Sequence, residues 1–151
     1  MVRLRGVDDQ TPSVLLQTPS WLLTQSAAHA HRIVTESFAA AGARGYHFRL
    51  LATLVEFGPA SQATLGRHTG IDRSDVVAAL NELVDEGYVE RTPDPADGRR
   101  NIITITASGR RQHKRLTTLV AKAQDEIFAA LSPADRKRLT TLLARVLSQH
   151  Q

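Results

Sequence analysis

The stretch Arg91 to Arg110, RTPDPADGRRNIITITASGR, constrains the fold more than any other part of the chain. Tyr88 to Thr92 has the composition of a short strand, and Ile102 to Thr106 that of a second. Between them lies a tip built from Pro93, Pro95, Asp97 and Gly98, which are turn-forming residues. Arg99 and Arg100 stand on its return side. The segment just upstream has the pattern of two short helices joined by a glycine-containing turn. A basic hairpin that follows such a helix pair is a device for gripping duplex DNA, and this order shapes every later expectation.

Charge distribution points the same way. The formal net charge is +4 and the pI about 10.1, which favours an anionic partner. Between Tyr88 and Arg115 seven basic residues (Arg91, Arg99, Arg100, Arg110, Arg111, Lys114, Arg115) face three acidic ones (Glu90, Asp94, Asp97). That excess of four equals the excess of the whole chain, so the positive charge is concentrated at and just after the hairpin. There are no cysteines, which excludes disulfides, thiolate metal sites and cysteine redox switches. The first twenty residues lack a long apolar run and contain Asp8 and Asp9, unlike a signal peptide. No run approaches the ~18 apolar residues of a membrane span. The expectation is a soluble cytoplasmic protein with no membrane partner.

The rest of the chain is mostly helical in pattern. Residues 1–19 form a polar arm carrying Val14, Leu15 and Leu16. Leu23, Ala27, Ala30, Val34, Phe38 and Ala41 make one apolar stripe that ends at Gly42. A second helix is expected over Tyr46 to Phe57, with Phe48, Leu51, Leu54 and Val55 inward and Gly58-Pro59 as its stop. Ser61 is placed to cap a short helix that Gly70 closes, and Asp72 to cap the next, with Val76, Leu80, Leu83 and Val84 buried. After the hairpin a long helix carries Leu116, Leu119, Val120, Ala123, Ile127 and Phe128. Ser132-Pro133 starts a last one, with Leu139, Leu142, Leu143 and Val146 as its stripe. The fold class is mainly α with a small β-hairpin, in the order α-α-α-α-β-β-α-α. Helices from opposite ends of the chain, each with an apolar stripe, suit a homodimer built from both termini. A monomeric helical bundle is the plainer alternative.

In a helix pair of this kind the second helix enters the major groove and its outward N-terminal residues meet base edges. Here these are Arg73, Ser74, Asp75, Val77, Ala78 and Asn81. Arginine forks onto guanine, serine and asparagine pair with several edges, and small apolar side chains touch a thymine methyl. Asp75 accepts from a cytosine amine or simply favours the helix N-terminus. The plain counter-reading is an amphipathic helix that begins with Asp and exposes Arg and Ser to water. For the hairpin, arginine in a narrow minor groove meets an enhanced negative potential, while a solvated tip is the plain counter-reading. Asp97 is placed to orient an arginine.

The run TGIDRSDVVAALNELVDEGYVERTPDPADGRRNIITITASGR resembles the core of the MarR family of bacterial transcriptional regulators. The resemblance is carried by LVDEGYVER, the DPADGRR tip, and ITITASG before a long helix. It implies a winged helix-turn-helix over 43–107 and a helical dimerisation region over 20–42 and 108–151. It further implies a homodimer on a pseudo-palindromic operator, acting as a repressor and released by a small-molecule effector. Residues Arg73 to Ala78 then fall on the recognition helix, Asp97 and Arg99 on the wing tip, and Ser61, Gln62 and Arg100 beside them. Family members often carry polar or basic groups where Val77 and Ala78 stand, so direct readout here should rest on Arg73 and Ser74, with more weight on the wing.

Family effectors bind between the dimer helices and the winged module, where Trp21, His29, His31, Arg32, Tyr46 and His47 are candidates. Trp21 is equally explained as a packing anchor. His29 and His31, two residues apart on a helix, are poor joint ligands, and no metal or cofactor is expected. No Gly-rich phosphate loop, HExxH or nucleophile motif is present, so no enzyme is expected. A winged-helix module that binds protein instead of operator DNA, or a sensor that has lost its operator, are the competing readings.

Overall fold

The computed structural model describes residues 10–149 of the 151. Residues 1–9 of the expected arm, with Asp8 and Asp9, and the last two residues of the terminal helical region lie outside that range. A helical turn, α1 (Ser13–Leu16), leads into α2 (Pro19–Ala39) and α3 (Gly45–Phe57). A two-residue strand β1 (Ala60–Ser61) precedes α4 (Gln62–Thr69) and α5 (Arg73–Asp85). The hairpin strands are β2 (Val89–Pro93) and β3 (Asn101–Ile105), followed by α6 (Ala107–Ile127) and α7 (Pro133–Ser148).

The expected element order holds, with two additions. The arm contains the turn α1, and β1 joins the hairpin. The sheet is antiparallel with order β1-β3-β2, so the return strand of the hairpin is central. Ala60 and Ser61 lie opposite Ile103 and Ile102, while Val89 faces Ile105 and Pro93 faces Asn101. A two-residue strand is too short to show alternation, which is why sequence pattern missed it.

One core unites α3, α4, α5, the sheet and the middle of α6. Leu50, Leu51, Leu54, Leu65, Leu80, Leu83, Ile103 and Leu116 are fully buried there, with Phe38 of α2 against them. Each such side chain contributes about 1.5–3 kcal/mol of burial. Leu50, outside the expected inward set, is as deep as Leu51, and Phe48 and Val55 pack only at the edge. Gly70 takes a left-handed φ of 64° as the α4 C-cap, the conformation that favours glycine there.

The terminal helices behave differently. On α2 only Ile33 and Phe38 are buried, and Leu23 of the expected stripe is exposed. On α7 no residue is buried; Leu142, Leu143, Val146 and Leu147 all face solvent. The α2 stripe reaches the core only at its C-terminal end, through Val34, Phe38 and Ala41, whereas the α7 stripe stays exposed among the described residues.

The first turn of α6 is wedged against the end of α5 and the start of β2. Thr106 Oγ1 accepts from the Gly109 amide at 3.0 Å and donates to the Gly87 carbonyl at 2.7 Å. The Thr106 amide donates to the Tyr88 carbonyl at 3.0 Å. At Gly109 an added Cβ would lie 2.0 Å from that same carbonyl oxygen, so backbone meets backbone with no room for a side chain.

Candidate nucleic-acid interface

Three elements meet around one open cleft of about 690 Å³. From α4 come Gln62, Thr64 and Arg67, with Ser61 at its cap; from α5, Arg73 and Val77; from the wing return, Arg99, Arg100 and Asn101. Four arginines therefore rim a single concavity. Guanidiniums are planar, permanently charged donors suited to phosphate oxygens and guanine edges.

Helix α5, expected as the recognition helix, exposes the expected face. Arg73, Ser74, Val77, Ala78 and Asn81 are exposed, while Val76, Ala79, Leu80 and Leu83 turn inward. Asp75 is half-buried and so less available than expected. Asp72 occupies the cap position, but its side chain makes no capping hydrogen bond. Ser61 does cap α4, accepting from the Thr64 amide at 3.2 Å and donating to Thr64 Oγ1 at 3.0 Å. Its hydroxyl is thereby engaged within the protein and leaves the outward contacts to Gln62 and Arg67. Arg67, held to Thr64 Oγ1 at 3.0 Å, escaped the sequence reading. Its signal was present as a basic residue three positions after Thr64 on the exposed face.

The wing tip is ordered from within. Asp94 Oδ1 accepts from the Ala96 amide at 2.9 Å, and Asp97 Oδ1 from the Arg99 amide at 3.1 Å. Asp97 pairs at 3.6 Å with Arg100, so Arg100 is the arginine it orients. That leaves the exposed Arg99 side chain with no acidic partner among the described residues. Behind the tip, Arg91 Nη2 donates to Asn81 Oδ1 at 3.0 Å, tying β2 to α5.

The α5 helix is anchored from α3. Glu82 takes Arg44 Nη2 at 2.5 Å on one oxygen and His47 Nε2 at 2.6 Å on the other. His47 Nδ1 accepts from the Arg44 amide, so in the neutral ring the proton sits on Nε2 and is donated to Glu82. Desolvation pushes the Glu82 carboxyl up, but the hydrogen bonds from His47 and Arg44, with their charges, outweigh it and hold it below the usual carboxylate range. Arg49 reaches from α3 to the Thr69 carbonyl at the end of α4 and lies 5.8 Å over the Tyr46 ring.

Of the expected pocket candidates, Trp21 lies on α2 and Tyr46 and His47 on α3. His47 is buried and committed to Glu82. Trp21 lies 17 residues before Phe38 on one helix, about 25 Å along its axis, whereas Phe38 is the α2 residue that meets α3, at Phe48. His29 and Arg32 are near each other on exposed α2, while His31 is exposed without joining them. His113 stacks on Phe48 at 5.8 Å, and burial holds its pKa below the usual histidine value. Among the described residues no three His, Asp or Glu gather as a metal site.

Residues 43–100 match the model of the MarR family, which takes in both helices of the pair and the wing up to Arg100. Over those residues the chain is similar to the MarR family. A regulatory protein for the hcr operon of Thauera aromatica is 33% identical to this chain over 89 residues, 59% of this chain and 54% of that one. The chain thus spans about half the length of that relative. The transcriptional repressor NicR of Pseudomonas putida is 22% identical over 143 residues, covering 95% and 90% of the two chains. The crystal structure of the PcaV transcriptional regulator of Streptomyces coelicolor, in complex with its natural ligand, superposes with a TM-score of 0.76. It is 26% identical, covering 91% of this chain and 96% of that one. The winged-helix fold of this chain follows from these likenesses together.

Proposed function

We propose that this chain is a homodimeric, sequence-specific DNA-binding repressor that acts in the cytoplasm. The observation that carries the reading is the four-arginine rim around the cleft between α4, α5 and the wing. Residues 43–107 form the reading head, 20–42 and 108–151 the dimerisation region, and 1–19 the N-terminal arm. Arg73 and Ser74 meet base edges in the major groove, with Val77 and Ala78 against thymine methyls and Asp75 in a lesser role. Gln62, Arg67 and Arg100 hold phosphates, and Arg99 enters the adjoining minor groove. Two heads about one helical turn apart match a pseudo-palindromic operator.

The dimer reading is supported by the solvent-facing Leu142, Leu143, Val146 and Leu147 on α7, which a second copy would cover. PcaV is described with a natural ligand and NicR as a repressor; by analogy a small molecule releases this protein from DNA. Its site would draw on both protomers, with Trp21 and Tyr46 among its residues.

The test is a salt-titrated gel shift on the DNA upstream of its own gene. Binding should weaken steeply with salt, log affinity falling against log salt with a slope near −0.9 per phosphate neutralised. No retardation at low salt, or retardation without a salt slope, rejects the reading in favour of a protein-binding module.

A further inference from the structure

Asn81 stands on the exposed face of α5, four residues beyond Val77 and eight beyond Arg73, so all three follow one stripe. Opposite it, β2 carries Arg91, whose Nη2 donates to Asn81 Oδ1 at 3.0 Å. A guanidinium has donors only, so the Asn81 atom that faces it is the carbonyl oxygen. The asparagine therefore holds its acceptor inward and keeps two N–H donors for an outside partner. Arg91 Nε, meanwhile, is buried with no hydrogen-bond partner among the described residues. An open buried donor is a cost to the fold, so satisfying Arg91 is not what the contact achieves. What it achieves is a fixed orientation of the Asn81 amide.

Building on the DNA-binding reading, we propose that Asn81 is a donor-only contact to the duplex and that Arg91 is the positioning residue that makes it so. Asparagine commonly reads adenine with both ends of its amide, accepting from N6 and donating to N7. Arg91 takes one of the two lone pairs of Oδ1 and turns the oxygen towards β2, which disfavours that two-ended pairing. The remaining partners are acceptors: purine N7, guanine O6, thymine O4 or a phosphate oxygen.

Sites selected from a random duplex pool by the wild-type protein supply the DNA for the test. Affinities at one salt concentration are then compared for wild type, Asn81→Ala, Arg91→Ala and the double variant. Asn81→Ala should weaken binding by roughly fivefold, the lower end for a groove contact. Arg91→Ala should match it, and the double variant should be no weaker than the weaker single. Loss at one base position assigns a base acceptor and uniform loss a phosphate; either supports the proposal. Losses that multiply in the double variant overturn it, as does Asn81→Ala binding like wild type. If Arg91→Ala fails to fold, Arg91→Met, which keeps the stem without a donor, completes the cycle. A measurement on Asn81 alone is independent of Arg91: replacing each adenine by 2-aminopurine removes its N6 group. The ratio of wild-type to Asn81→Ala affinity should then be unchanged, and its collapse at any adenine overturns the proposal. Wild type that retards no duplex at low salt defeats the DNA-binding reading itself, whereas binding with multiplying losses defeats this assignment alone.

Discussion

Replacing Gly109 by alanine sets two physical effects of opposite sign against each other. Gly109 lies in the first turn of α6, and helix propensity alone favours alanine by about 1 kcal/mol. The new Cβ, however, would sit 2.0 Å from the Tyr88 carbonyl oxygen, 2.8 Å from Ile105 Cγ1 and 2.9 Å from the Tyr88 carbonyl carbon. The oxygen is more than an ångström inside ordinary contact and belongs to the backbone, so no rotamer change relieves it. Either β2 or α6 must move. Overpacking of this kind costs up to about 3 kcal/mol. Moving Tyr88 also breaks its hydrogen bond from the Thr106 amide, worth about 1 kcal/mol. After the propensity gain the net loss is about 3 kcal/mol, a large share of a total near 5–15 kcal/mol.

Urea denaturation at fixed protein concentration measures it. With a slope near 2 kcal/mol per molar, the midpoint should fall by about 1.5 M. Gly66→Ala is the control, since its Cβ would meet Ile71 O at 3.7 Å and Val76 Cγ2 at 3.8 Å, which is ordinary contact. That variant should be unchanged or slightly more stable. A Gly109→Ala protein as stable as wild type would refute the reasoning.

Other outcomes are equally definite. Arg73→Ala should cost about 1–3 kcal/mol of discrimination between selected and random DNA, and unchanged discrimination in competition gel shifts removes Arg73 from the readout. Arg99→Ala should lower affinity across sequences and reduce the salt slope by about one phosphate equivalent; an unchanged slope places Arg99 off the DNA. Glu82 is held below its ordinary value of 4.5, so its stabilisation is present above that pH and lost as pH falls through the lowered folded value. Since the carboxyl is half-exposed, the effect should stay within about 1 kcal/mol, and Glu82→Gln should flatten the acid limb of a melting-temperature profile. His113, also lowered, remains neutral in the fold while the unfolded chain takes up a proton below about pH 6.5. Stability should fall with pH from there downward, and His113→Phe should remove that slope. Val146→Arg on α7 should shift sedimentation from dimer towards monomer without altering the buried core; an unchanged dimer would exclude this stripe from the interface.

The helices were legible because their signals are local. Gly58-Pro59, the Ser61 and Ser132 caps and the Gly70 αL cap each act within one turn, and the structure keeps all of them. The wing was legible for the same reason, through its Pro-Asp-Gly tip. What sequence pattern missed was non-local. Strand β1 exists only because Ala60 finds Ile103 far along the chain. His47 carried the same polarity whether it faced a ligand or Glu82, and only the packing of α3 on α5 chose between them. Asn81 and Arg91, ten residues apart, gave no sign of their contact until the hairpin folded back. The outward face of α5 was readable because its stripe is periodic, but the partners that orient it were not.

Ser61 ends β1 and caps α4, while β1 is hydrogen-bonded to the wing's return strand. The helix pair and the wing are therefore welded at a single residue, on top of the Arg91 strut between β2 and α5. No free joint separates the two halves of the grip. In the proposed dimer, spacing between two such grips would then be a property of everything outside them, set by α2, α6 and α7. An effector of the proposed dimer would then need to disturb no DNA contact; changing the distance between two intact heads would be enough.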